Sequence, residues 1–576
     1  MIENFLLSTK TSMELLSGSK SIKLCTYKRA RIVITVLCIT LRGKRVLKNA
    51  RTNQKGDEKM LTKLVNTTQT KEKKTITLVV RNITTYIICD AFVMTELSGA
   101  FSYVEEDYEN TRDRKVEWWL RQNNPEKARK AAEWDGSHSL IKGGVLGTGL
   151  VEDLIMYLLE KKYVFNIENK MEKNGKNFIF QHKIPIVLRE RQEEAMEAMR
   201  EADFRGIVNA SVSFGKTHLG LYTMSELNKI TVILSTKKEI IQQWKKRIEE
   251  IFMLTSTRLG SANGYIFTND SGEVGVLLCT PTLIHMAEDK HSKAYSTSRY
   301  EKIREIINKT GFVIYDEAHH ASSQTSMSSL NAIHAYYRIG LSGTVNMRSD
   351  SSDYYYLASF GNIIYSFTVS DLVRKGEGKK VIVKPIVIKY DRVFLSQVSI
   401  QSEEWSDFHT NFIVENRDRN AAITNIIMKE LTNGSHILVL VDRINHGSLL
   451  ATGFPSEHVT TSSSKDSKSL RDEKFMRFRK GEIKCMICTF DLAGEGFDVP
   501  SLNVLIIAGG KSEIKIRQAV GRIMRKSDRE FATLYDFVDP ISPFQSHFLK
   551  RLEVYKSETA FEIETDGLPF WVTRYL

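Results

Sequence analysis

The run Ser213-Phe214-Gly215-Lys216-Thr217 constrains the fold of this 576-residue chain more than any other stretch. It directly follows the apolar, strand-like segment 207–210 and opens a helical pattern. A strand that turns through glycine into a helix start aims backbone N–H groups and the helix dipole at an anion. Lys216 can then reach the β- and γ-phosphates of a nucleotide, and the Thr217 hydroxyl can ligate magnesium. Ser213, Phe214, Gly215 and His218 belong to the same phosphate-binding turn. The full pattern has glycine where this chain has Ala210, and a methyl group still fits there. Gly-Lys-Thr alone recurs by accident; its place between strand and helix gives it weight.

The surrounding sequence supplies a sheet. A helix over 190–200 precedes a strand at 206–210, and strands recur at 230–234, 274–279 and 311–315. A strand at 336–341 closes the series. Each ends in small or polar residues, the βα rhythm of a parallel sheet with ligands at its strand ends. A second series has a helix over 421–431 and strands at 436–441, 459–460, 483–489, 504–507 and 532–537. The basic run 374–380 in the connection reads as an exposed hinge. Upstream, strands at 76–80, 84–88, 102–104 and 163–167 and a helix over 150–160 describe a small α+β module. Its charged middle holds Trp118, Trp119 and Trp134, which either stack on bases or form an aromatic core.

Composition narrows the class. Hydrophobic residues are 42% and charged residues 26%, as in globular proteins. Lys and Arg number 82 against 69 Asp and Glu, a formal charge of +13 that points to a polyanionic partner. The excess is concentrated within 28–59, in a basic N-terminal extension read as partly flexible. The apolar run 32–41 is shorter than the roughly 20 residues a membrane span needs. It also lacks a small-residue cleavage site. Six scattered cysteines suit a reducing cytoplasm. Cys485 and Cys488 have CxxC spacing but read as packing on an apolar strand.

Further residues carry chemistry. Asp316-Glu317-Ala318-His319 follows the apolar segment 312–315, which puts both carboxylates at a sheet edge. Asp316 suits magnesium and Glu317 an attacking water. The spacing of His319 and His320 does not match a HExxH zinc site. Arg522 and Arg525 are three apart, so they share a helical face, and guanidinium forks match phosphate oxygens; a basic surface helix is the plainer alternative. Ser342 and Thr344 end a strand near the first site. Gly496 permits a tight turn, and Asp498 beside it can meet a nucleotide hydroxyl or an arginine. Gln192 either pairs with adenine or serves the start of its helix.

These motifs together resemble the core of a superfamily 2 helicase over residues 185 to about 540, most closely the phage UvsW-like members of the UvsW, XPB and RecG group. The resemblance rests on Gln192, Gly215-Lys216-Thr217, Asp316-Glu317-Ala318-His319, Ser342-Gly343-Thr344, residues 491–498 and Gln518 to Arg525. Leu440 to Gly447, Trp134-Asp135-Gly136 and Gly147-Thr148-Gly149 extend it. Gly343 departs from the commoner alanine. The resemblance implies an α/β fold: two tandem RecA-like parallel-sheet domains forming a helicase core, preceded by a small α+β DNA-binding domain. The implied boundaries are 1–72 for the extension, 73–180 for the small domain, 181–365 and 416–576 for the RecA-like domains, and 366–415 for their connection.

The same resemblance implies ATP and Mg2+ as cofactors and branched or forked DNA as partner. Contacts to nucleic acid would come from Thr236, Thr280, Trp134, Arg443 and Thr489, and coupling from His319, Ser342, Thr344 and Gln518. The implied activity is 3′-to-5′ DNA translocation that remodels forks, D-loops or four-way junctions. The expected setting is the cytoplasm of a bacterium or phage-infected cell, as a monomer with no membrane and no stable protein partner. An RNA helicase, a duplex translocase of a restriction system and a DNA-binding scaffold are the competing classes.

Overall fold

A computed structural model describes residues 75–105, 108–211, 214–259, 264–291, 295–343, 353–376, 378–390, 405–493, 499, 501–509, 520, 523–524, 530–542 and 544–576. The extension 1–72 and the site residues Ser213, Thr344, Gly496, Asp498, Gln518, Arg522 and Arg525 lie outside the described residues.

Among the described residues, the first large sheet has eight strands. Their order is Ile363–Phe367, Arg205–Ala210, Tyr337–Ser342, Phe312–Asp316, Thr231–Leu234, Val274–Cys279, Gly264–Thr268 and Thr255–Arg258. The first six run parallel. The last two pair antiparallel, so the sheet is mixed rather than wholly parallel. Two-sided burial explains the unbroken Val/Ile/Leu runs: every residue of Thr231–Leu234 and Phe312–Asp316 is buried. The series does not close at the strand predicted over 336–341. Ile363–Phe367 adds an edge beside Arg205–Ala210.

Among the described residues, the second sheet has seven strands, all parallel: Val459–Ser462, Cys485–Thr489, Ile437–Val441, Val504–Ile507, Phe531–Val538, Lys380–Val387 and Phe561–Ile563. Cys485 and Cys488 point into core clusters on opposite faces of it. Burial pushes the Cys488 thiol up to about 12. Two strands come from unexpected places. Lys380–Val387 lies in the predicted connection, and Phe561–Ile563 follows a C-terminal helix, Phe544–Ser557.

In the basic run 374–380, Arg374, Lys375, Gly376 and Lys380 are exposed and Lys379 is buried. Lys379 is 3% exposed and its ammonium donates to Leu502 O at 3.0 Å. Lys375 reaches Glu194 at 2.7 Å in the first lobe. Ser370, on the short helix Val369–Arg374, donates to Glu558 Oε2 at 2.7 Å in the second. Ser370 and Lys379 are buried, while Lys375 stays exposed.

In the upstream module, Ile76–Val80 and Thr84–Ile88 form an antiparallel hairpin, extended by Val145–Gly147. Three helices that the sequence reading did not assign follow: Ala91–Ala100, Tyr108–Arg121 and Pro125–Ala132. Asp90 and Asn124 cap two of them. Residues 152–166, with Ile76, form a separate compact unit. Within it Leu154, Ile155 and Leu158 are buried, and Ile76 N donates to Val164 O at 3.1 Å. Among the described residues, no helix is long and apolar enough to cross a membrane.

Candidate active site

Parallel strands share one C-terminal edge, and that edge gathers the predicted residues in a row. Arg205–Ala210 leads to Lys216; beside it Tyr337–Ser342 ends on Ser342, and Phe312–Asp316 ends on Asp316. Farther along, Thr231–Leu234 leads to Thr236 and Val274–Cys279 to Thr280. Adjacent strands lie about 4.8 Å apart. The phosphate-binding turn and the carboxylates are therefore near neighbours, and the two threonines continue the same edge.

Gly215 takes φ +90°, a conformation that only glycine adopts cheaply. A Cβ there would also lie 2.5 Å from Gln192 Nε2. The helix Lys216–Leu227 starts at once, with Lys216 8% exposed and its ammonium on Ala210 O at 3.1 Å. Gly343 faces this point. An added Cβ would meet Ala210 O at 3.1 Å and Lys216 Nζ at 3.3 Å, which gives the departure from alanine a steric reason. Phe214 is fully buried against Tyr365 and Phe367, so its backbone, not its ring, can face a phosphate. His218 Nε2 lies 2.9 Å from Val187 O.

Gln192 stands in the first turn of helix Glu190–Glu201. Its Oε1 accepts from Arg189 N at 3.0 Å, and its Nε2 donates to Phe214 O and Gly215 O at 3.1 and 3.2 Å. The amide ties the start of helix Glu190–Glu201 to the phosphate-binding turn.

Asp316 is 5% exposed. Its Oδ2 accepts from Trp244 Nε1 at 2.8 Å and its Oδ1 from Glu317 N at 2.9 Å. Burial, helped by Glu317, raises its pKa to about 6 against the pull of Lys216. Glu317 sits at φ +58°, a left-handed backbone unusual for a non-glycine residue. Burial opposes its ionisation, but Lys216, His319, Lys237 and His320 together hold its pKa below the usual carboxylate range. Its Oε2 is buried without a hydrogen-bond partner among the described residues. His319 Nδ1 is 2.9 Å from Ser342 Oγ and 3.4 Å from Glu317 Oε2. Burial pushes this imidazole down to about 3, so it is neutral at pH 7.

Sequence reasoning missed Trp244. It is fully buried on the amphipathic helix Lys238–Ile251. A Cβ at Gly220 would come within 2.6 Å of its ring, so glycine lets the phosphate-binding helix pack against it. A tryptophan on an apolar helical stripe reads as core, and only the fold reveals its N–H donor aimed at Asp316.

The remaining predicted residues lie elsewhere on the fold. Arg443 and Thr489 sit at the C-terminal ends of neighbouring strands in the second sheet. Arg443 is engaged by the segment just before its lobe, with Ser406 O at 2.8 Å and Thr410 Oγ1 at 2.5 Å. Trp134 belongs to the upstream module, where its Nε1 donates to Ser137 O at 3.0 Å.

Chemically, the first edge offers a Thr217 hydroxyl and an Asp316 carboxylate for a hard divalent cation, beside a lysine for phosphate and a second carboxylate for water. The unsatisfied Glu317 Oε2 and the oriented Asp316 fit such an ion with its water shell.

Known proteins share this pattern. The family described as "Type III restriction enzyme, res subunit" matches residues 185–347, and "Helicase conserved C-terminal domain" matches 418–527. "DNA 3'-5' translocase XPB2" of Sulfurisphaera tokodaii is 26% identical over 381 residues, covering 60% of this chain and 80% of that protein. "ATP-dependent DNA helicase uvsW" of Enterobacteria phage T4 is 22% identical, covering 41% of this chain and 47% of that one. The crystal structure of T4 UvsW aligns over 85% of this chain and 99% of its own at 17% identity, with a TM-score of 0.38. The chain is an ATP-dependent helicase of superfamily 2. Its relatives within that superfamily are the UvsW- and XPB-like helicases.

Proposed function

We propose that this helicase is a 3′-to-5′ DNA translocase that remodels branched DNA such as forks, D-loops and four-way junctions. The observation that carries the reading is the shared strand edge, where Lys216, Ser342 and the Asp316–Glu317 pair adjoin Thr236 and Thr280. One end of that edge suits a nucleoside triphosphate, and the other suits a nucleic-acid backbone. Relatives named as a DNA 3′-5′ translocase and a DNA helicase support DNA and the polarity.

In this reading the domains follow the expected boundaries 1–72, 73–180, 181–365, 366–415 and 416–576. The turn's N–H groups and Lys216 bind the β- and γ-phosphates. Thr217 and Asp316 would hold magnesium, which would supply positive charge to neutralise the phosphates. Trp244 and Glu317 N keep the Asp316 carboxylate turned to its task. Glu317 orients the attacking water and takes its proton. Arg522 and Arg525 stabilise charge on the transferring phosphoryl group. His319, neutral and bonded to Ser342, links the state of Glu317 to strand Tyr337–Ser342, which lies between the strands of Lys216 and Asp316. Contacts to phosphates make translocation nearly independent of sequence.

Strand displacement tests the reading. The protein with ATP should separate a four-way junction and a fork with a 3′ loading strand, and leave a fork with only a 5′ loading strand intact. The opposite polarity, or activity on RNA duplexes alone, contradicts it.

A further inference from the structure

The tryptophans of the upstream module are not its core. Trp118 is 53% exposed, and helix Tyr108–Arg121 buries none of its residues. The rings instead form a series. Trp118 and Trp119 lie 4.4 Å apart, and Trp119 and Trp134 line one open cavity of about 390 Å³ with Lys115, Lys127, Lys130 and His138. Trp134 and His138 are 5.1 Å apart, and His138 stacks on Tyr103 at 5.1 Å and 26°. Tyr103 then stacks on Tyr354 at 5.8 Å and 27°, with Tyr355 at 6.0 Å. Tyr354, 44% exposed, and Tyr355 stand on helix Asp353–Phe360 of the first motor lobe. The series therefore runs from the accessory module onto the motor.

Cations alternate along it. Lys127 Nζ lies 4.4 Å from the Trp119 ring centre, Lys115 Nζ 3.9 Å from that of Trp134, and Lys142 Nζ 6.0 Å from that of Tyr355. All three lysines are exposed. Trp118 and Tyr354 are exposed and the other rings of the series half-buried. Rings at this spacing, interleaved with exposed ammonium groups, match what a strand with unpaired bases offers: π-faces at intervals and a phosphate between them. A duplex hides its base faces and would meet only the lysines.

The track is built rigidly. Gly136 takes φ +81°, and a Cβ there would collide with the Tyr108 ring at 2.4 Å, so the turn that presents Trp134 requires glycine. The turn Thr148–Leu150 seats the module on the same helix that carries Tyr354. A Cβ at Gly149 would lie 1.9 Å from Leu357 O, and one at Gly147 2.7 Å from Ala358 Cβ. Asn82 adds a bond to His334 O at 2.9 Å.

We propose that this ring track is a second nucleic-acid site, which binds one unpaired DNA strand by stacking and leads it across the module onto the first motor lobe. It rests on the reading of the chain as a DNA motor, and it goes further in naming the strand state and the residues that select it.

The test measures nucleotide-free binding by the full chain of a labelled oligothymidine of about 16 nucleotides and a blunt duplex of equal length. Trp119→Ala and Tyr354→Ala should each weaken oligothymidine binding by about 5- to 100-fold, with duplex affinity kept within about twofold. Trp119→Phe, which keeps a π-face, should recover most of the loss. Oligothymidine should also quench tryptophan fluorescence in the parent chain and less in Trp119→Ala. Variants that bind both probes as the parent does, or lose both equally, overturn the track. A parent chain that binds duplex but not oligothymidine overturns the track and leaves the DNA motor standing. A parent chain that binds neither overturns both.

Discussion

Trp244 and Asp316 show how a buried neutral side chain can serve a charged one. The indole N–H occupies one carboxylate oxygen and the Glu317 amide the other, so the group cannot rotate freely. Trp244→Phe keeps the packing but leaves a buried oxygen short of a donor, at a cost of about 1–3 kcal/mol. We expect binding of a fluorescent nucleotide to need several-fold more magnesium in this variant, while magnesium-free binding stays near the parent value. An unchanged magnesium midpoint would remove Trp244 from the site. Glu317→Gln should lower hydrolysis by about 10²- to 10⁴-fold with nucleotide binding retained. Histidines of the second lobe make a different prediction. Burial holds His436 down at about 4 and His446 at about 3, against 6.5 for the ordinary group. Between those values and pH 6.5 the unfolded chain binds more protons than the folded one. Their contribution to stability is complete above about pH 6.5 and is lost as the pH falls toward 4. The urea midpoint should rise across that window, and less steeply in His436→Gln.

At the scale of elements, much of both sheets was legible because buried parallel strands are continuous apolar runs with polar ends. Phe312–Asp316, Val274–Cys279 and Val504–Ile507 fall within a residue of their predicted spans. Ile363–Phe367 and Lys380–Val387 were not legible. The first is only partly buried as an edge, and the second lies beside a basic run that reads as solvent-facing. The motifs around Lys216 and Asp316 were legible because glycine, lysine and carboxylates stand at strand ends. Trp244 and the latch made by Gln192 were not, because their partners are distant in sequence. Helix Phe544–Ser557 also escaped notice, although it carries Arg551. That guanidinium donates to both oxygens of the fully buried Asp536, at 2.8 and 2.9 Å, and Tyr555 adds a third bond. Arg551→Met leaves Asp536 uncompensated and should destabilise the protein by about 3–5 kcal/mol in denaturant unfolding. A loss under about 1 kcal/mol would show that the pair is not holding helix to sheet.

For the whole molecule, coupling requires that nucleotide state and DNA contact share one mechanical element. In the proposed reading the first sheet meets that need, since Lys216, Asp316, Thr236 and Thr280 all stand at or beyond the C-terminal ends of its parallel strands. The connecting helix Val369–Arg374 and the residue after it are tied to both lobes through Ser370–Glu558 and Lys375–Glu194. A change in one lobe thus has a path to the other. The most direct measurement is the rate of ATP hydrolysis by the full chain with no nucleic acid, single-stranded DNA, duplex DNA, a four-way junction and structured RNA. Lys216→Ala sets the background. The account predicts strong stimulation by DNA, greatest with the junction and absent in Lys216→Ala. Turnover that ignores DNA, or that survives in Lys216→Ala, would contradict it.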